Sequence, residues 1–173
     1  MNVITKDGLK KLGFRGFYKI DYLQNRGFPK DKHLLKCGVY VIVATKNYRP
    51  TYLPLSKVKS SHNVISPWPI SRLKKKWVNN VETLYIGLAG SRSPRSLKKR
   101  LMDLIRHSLG KTSRKGPHRG GEIIWQLTGY QKFEVGYIPT DNPPAPKQKE
   151  EYLLRLFLQT KKGKLPFANR KLS

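Results

Sequence analysis

Acidic residues are scarce in this chain: 10 Asp and Glu stand against 36 Lys and Arg in 173 residues, a net charge of +26. Self-repulsion on that scale opposes the compact state, and a polyanionic partner accounts for it better than a merely solvated basic surface. Cysteine is nearly absent. The single Cys37 excludes an internal disulfide framework and a cysteine-rich zinc site. Its place in an apolar run predicts a buried, inert thiol. No apolar run approaches the about 18 residues of a membrane span, and the opening stretch MNVITKDGLKKLGF has no apolar signal region. The expected setting is cytoplasmic, with no membrane partner. P-loop, GxGxxG and GxSxG motifs are missing, as are clusters of His and Cys with metal-ligand spacing and internal repeats.

What is present is a 38% hydrophobic content over a length typical of one domain, 1–173. Nucleic acid leads among polyanions, because dispersed Lys and Arg gain by phosphate neutralisation and counterion release. An anionic membrane comes second, and no basic amphipathic helix supports it.

Residues 1–36 form a basic extension punctuated by Phe14, Phe17, Tyr18, Tyr22 and Phe28. Its rings read as core, with charges such as Arg15 facing out. Two short apolar runs, Cys37 to Ala44 and Thr83 to Ala89, read as buried strands. They carry Gly38-Val39-Tyr40 and Tyr85-Ile86-Gly87, and as neighbours they could project both tyrosines toward one surface. Between them lies a Pro-interrupted insertion, 45–82, with a short helix from Ile70 to Val78. Its Lys74, Lys75 and Lys76 are candidate backbone contacts. A helix is expected from Leu97 to Leu109, N-capped by Ser96 and stopped by Gly110. Lys98 and Lys99 lie in its first turn. Arg100 and His107 flank its apolar stripe of Leu97, Leu101, Leu104 and Ile105; His107 reads most simply as exposed. The basic loop 111–121, with Lys111, Arg114, Lys115, His118 and Arg119, suits phosphate. Glu122 to Leu127 is a short helix or strand, and Phe133 to Ile138 a third strand. A last helix is expected from about Lys147 to Thr160, where Glu150, Leu153, Leu154 and Phe157 share a face. An acid on an apolar face is costly without a cation or metal beside it.

The ordered set GVY, YIG, Arg100 and Glu150 on helices, and Asn169 in a final PFAN resembles the GIY-YIG nuclease superfamily, from about Gly38 to Asn169. Leu84-Tyr85-Ile86-Gly87 followed by Leu97-Lys98-Lys99-Arg100-Leu101 is similar to a block in the nuclease domain of the bacterial excision-repair incision enzyme. Glu150-Glu151-Tyr152-Leu153-Leu154 matches the family's Glu-x-x-Leu-Ile pattern and selects Glu150. The whole layout looks like small standalone members, with restriction enzymes more distant.

The resemblance implies an α+β fold: a small central sheet of about three strands flanked by helices, with the N-terminal extension and the long insertion added. It implies a metal-dependent DNA endonuclease using one Mg²⁺ (or Mn²⁺). Glu150 would hold the metal, and Arg100 would contact the scissile phosphate. Tyr40 would be general base, its phenol pKa lowered by nearby positive charge. Tyr85 would orient water or phosphate, and Asn169 would hydrogen-bond within the site. Gly38 and Gly87 would allow close approach of strands and DNA. A homodimer would let the enzyme cut both strands, and RNA stays open as a substrate. Departures are Leu88 where relatives often have Lys, Leu104 where a His is frequent, and the long GVY to YIG spacing. His107 and His118 are the histidines that could compensate. The alternative is a nucleic-acid-binding protein on the same scaffold with weak or lost catalysis.

Overall fold

The computed structural model describes residues 2–54, 67–111 and 122–172. Its elements in chain order begin with α1 (Lys6–Lys11), β1 (Arg15–Lys19), α2 (Ile20–Arg26) and β2 (Gly38–Val43). Then follow α3 (Ile70–Lys76), β3 (Thr83–Ala89), α4 (Leu97–Ser108), β4 (Glu134–Pro139) and α5 (Ala145–Thr160). The architecture is α+β: a four-stranded, wholly antiparallel sheet in the order β1-β4-β2-β3, flanked by helices.

Every residue of β2 is buried, because it lies inside the sheet and both of its faces are covered. On one face Val39, Val41, Val43 and Ile86 join Leu9 of α1 and Leu153, Leu154 and Phe157 of α5. On the other, Tyr40, Ile42, Tyr85 and Tyr137 join Ile20 and Leu23 of α2, Leu73 of α3, Leu97, Leu101 and Leu104 of α4, and Trp125. The period-2 alternation of a strand sends successive side chains to these two layers.

The sheet has four strands where about three were expected, and the extra one comes from the segment read as an extension. β1 pairs with β4 through a register shift between Gly16 and Tyr18, where Gly16 (φ 86°) and Phe17 (φ 56°) take left-handed backbone. The bulge breaks the alternation that would mark a strand. Phe14 and Phe17 are both buried, so the two GF rings are core as expected. The run Glu122 to Leu127 resolves as the short helix of its two readings. It forms a 3-10 turn over Ile124–Gln126 that buries Trp125. α5 begins at Ala145, two residues before the expected Lys147, since Pro146 fits the first turn of a helix. Among the described residues no helix is long and apolar enough to cross a membrane.

Candidate active site

The register of β2 on β3 brings the tyrosines together. β2 and β3 pair with Tyr40 opposite Gly87 and Ile42 opposite Tyr85, so Tyr40 and Tyr85 share a face. Leu84 is the extra residue of a β-bulge just before Tyr85, and such bulges re-aim the side chain that follows. The two rings lie 5.8 Å apart at 58°. Gly87 makes this possible: a Cβ there would stand 2.7 Å from Tyr40 Cζ and from Tyr85 Cε1, and 2.8 Å from Tyr40 Oη. The expectation that this glycine admits DNA gives way to a closer cause, since the space is filled by the tyrosine pair. A Cβ at Gly38 would likewise run into the Ile138 carbonyl oxygen and stand 2.8 Å from Leu97 Cδ1. Both rings are buried, so Gly87→Ala is expected to cost about 1–3 kcal/mol in urea unfolding by overpacking. An unchanged midpoint would show that the rings can retreat.

α4 supplies Arg100. Ser96 caps the helix as expected, its hydroxyl accepting from Lys99 N at 3.3 Å, and Leu97, Leu101 and Leu104 are fully buried. That stripe anchors the helix and leaves Arg100 half-buried at its border. The guanidinium and the Tyr85 hydroxyl both hydrogen-bond to the Tyr40 phenol. The Arg100 Nε–H is buried without a hydrogen-bond partner. The Tyr40 pKa moves opposite to expectation. Burial raises it, and the charge of Arg100 and the two hydrogen bonds only partly offset that. Tyr85 is raised well above its ordinary value, again mainly by burial. Tyr40 is fully enclosed, and desolvating a phenolate outweighs one neighbouring cation.

α5 supplies Glu150, which is 7% exposed on the buried face of the helix. Burial pushes its carboxyl up from 4.5 to about 7, against the attraction of Arg100 and Lys147. Tyr85, Leu88, Arg100 and Glu150 line one open cleft of about 440 Å³, together with the loop Gly90 to Ser93. A wider groove of about 1070 Å³, with Lys36 and Lys99 on its walls, adjoins it and shares Ser93 and Arg95. Among the described residues no group of three or more His, Cys, Asp or Glu side chains gathers that could hold a metal. Glu150 is the carboxylate in the cleft. A single, desolvated carboxylate suits Mg²⁺, which keeps several waters and takes the rest of its shell from substrate phosphate.

Asn169 does not face this cleft through its amide. Its Oδ1 accepts from Ile86 N at 3.0 Å and its Nδ2 donates to Ile86 O at 2.7 Å, while Ala168 N donates to Leu84 O at 2.8 Å. Asn169 is thus a positioning residue for β3, the strand of Tyr85 and Gly87. Asn169→Ala leaves two backbone groups unpaired and is expected to cost about 2–4 kcal/mol in chemical unfolding. A loss under about 1 kcal/mol would mean that water replaces the amide.

His107 is buried rather than exposed: Trp125 donates its indole N–H to His107 Nδ1 at 3.0 Å, and burial lowers the imidazole pKa to about 4. Its bonding is to the core, not to the cleft. His118, Arg114, Lys115 and Arg119 lie outside the described residues. Lys74, Lys75, Lys98, Lys99 and Lys111 are exposed, and Lys76 is half-buried. Arg15 stands on β1, at the opposite sheet edge from β3, with its guanidinium on the His33 ring at 3.1 and 3.2 Å. Residues the sequence reading did not single out are Arg95, which pairs with Asp103 and borders both cleft and groove, and Gln126. Gln126 is 1% exposed and hydrogen-bonds to the backbone of Leu53 and Trp68. Gln126 is revealed only by pairing between distant segments, whereas Arg95 finds its partner eight residues on. Comparison with known protein families, curated proteins and solved structures returns no match.

Proposed function

We propose that this chain is a metal-dependent DNA endonuclease of the GIY-YIG type. The carrying observation is the convergence of Tyr85, Arg100 and Glu150 on one cleft, with Tyr40 hydrogen-bonded behind them. These four come from β2, β3, α4 and α5, so chain proximity does not account for the meeting.

Each residue has a task that its surroundings suit. Arg100 lines the cleft, where its guanidinium would meet a phosphate oxygen, and charge-assisted bonds of this kind strengthen as negative charge develops. Glu150 would hold Mg²⁺ or Mn²⁺. A divalent cation there would supply charge neutralisation and Lewis acidity at the phosphate. Near neutral pH Glu150 is only partly ionised, so cation and proton compete for it. Tyr40 starts as a neutral phenol. It accepts hydrogen bonds from Arg100 and Tyr85, which favour its phenolate, so added positive charge in the cleft is what would turn it into a base. Tyr85, 8% exposed at the cleft wall, is placed to orient water or phosphate.

The second reading is a nucleic-acid-binding protein with weak or lost catalysis. It is favoured by Leu88, an apolar side chain on the cleft wall where a cation would help. The deciding experiment is cleavage of supercoiled plasmid and of branched DNA. Nicking or linearisation in Mg²⁺ that stops in EDTA is the expected result. Salt-sensitive binding without cleavage of any substrate would overturn the nuclease and leave the binding protein.

A further inference from the structure

We propose that Trp68, Arg72, Lys76 and Arg170 form a seat for a backbone phosphate of bound DNA, separate from the cleavage cleft. This deepens the reading above and rests on its choice of DNA as the substrate. The Arg72 guanidinium lies 3.5 Å from the centre of the Trp68 ring, with Arg170 at 5.2 Å and the Lys76 ammonium at 5.8 Å. Three cations therefore gather on one indole. Glu122 pairs with Arg170 and leaves the group with an excess of positive charge. Like charges this close repel, and Lys76 is also half-buried, so burial and both arginines disfavour its ammonium form. An anion seated among them removes that repulsion.

The geometry is held in advance. Gln126, itself buried, accepts from Trp68 N at 2.9 Å and donates to Trp68 O at 3.0 Å, which fixes the backbone that carries the indole. A guanidinium laid on that ring keeps its N–H edge in plane and free to meet two phosphate oxygens. Less ordering is then needed on binding. Lys76 Nζ donates to Asn169 O at 2.5 Å, and the Asn169 amide clamps Ile86 between Tyr85 and Gly87. The seat is thereby tied to the strand that carries the cleft tyrosine. A phosphate held there sets where the strand enters the cleft.

The test is binding of duplex DNA in EDTA, where no cleavage occurs, across a salt series. Arg72→Gln/Arg170→Gln is compared with Lys11→Gln/Lys132→Gln, an equal loss of charge at exposed positions away from the seat. Loss of one phosphate contact should lower the slope of log affinity against log salt by about 1 and the affinity about tenfold at 0.1 M salt. The control pair should change affinity less than about twofold, as general field effects do at this salt. Equal losses in the two pairs, or none in the arginine pair, would overturn the seat. Where the double variant melts early, Arg170→Gln alone, at an exposed position, is read against Lys11→Gln in the same way. A wild type that binds but never cleaves defeats the nuclease and leaves the seat standing. A wild type that cleaves, with arginine variants that bind like the control pair, does the reverse.

Discussion

Glu150→Gln is expected to cripple cleavage and, at pH 8, to make the protein more stable. The carboxyl is raised from 4.5 to about 7 because its ionised form is desolvated. Between those values the folded protein holds a proton that the unfolded chain has released, so stability is fullest below pH 4.5 and declines as pH rises through 7. A displacement of that size corresponds to at most about 3 kcal/mol. A neutral amide of the same shape removes the cost, so the variant should gain about 1–3 kcal/mol at pH 8. The gain should vanish near pH 4. Cleavage should drop about 10³-fold, since a metal at the phosphate supplies several kcal/mol. Thermal melts at pH 4 and pH 8, with plasmid cleavage in Mg²⁺, check both halves. A variant destabilised equally at both pH values would make Glu150 an ordinary structural acid.

Arg100→Ala carries the second large effect. Removing one preorganised donor to a developing charge costs about 10²–10³ in rate. Arg100→Lys should recover little, because an ammonium keeps the charge but loses the planar fork. Arg100 is half-buried at the border of the α4 stripe, and Leu97, Leu101 and Leu104 remain to hold the helix. Circular dichroism and melting temperature should therefore stay close to wild type. The Tyr40 phenol should ionise at still higher pH without the guanidinium, since Arg100 is a lowering influence on it. Unfolding of both variants would reassign Arg100 to the core.

The central strands, the Ser96 cap and the burial of Glu150 were legible in the sequence, because each follows from a local pattern: a short apolar run, a capping hydroxyl, an acid in phase with leucines. β1 was not, since a bulge with left-handed Gly16 and Phe17 erases the alternation. The exposure assigned to His107 failed because a helical wheel shows direction but not what packs there, and here it is Trp125 from 18 residues away. The direction of the Tyr40 pKa was misjudged for a related reason. A neighbouring cation can be read from order and spacing, whereas complete enclosure depends on layers that close only in the folded chain. The cations on Trp68 could not be seen together at all, as Arg170 arrives from the far end of the chain.

β3 is the outer strand of the sheet, and its Leu84 carbonyl and both backbone groups of Ile86 are already taken by Ala168 and Asn169. An unoccupied edge is a template on which a second chain can continue the sheet. Here the chain's own tail fills that template with one turn of irregular backbone instead of a fifth strand. Strand addition at Leu84 and Ile86 is thereby blocked by the chain itself, at the edge nearest the cleft.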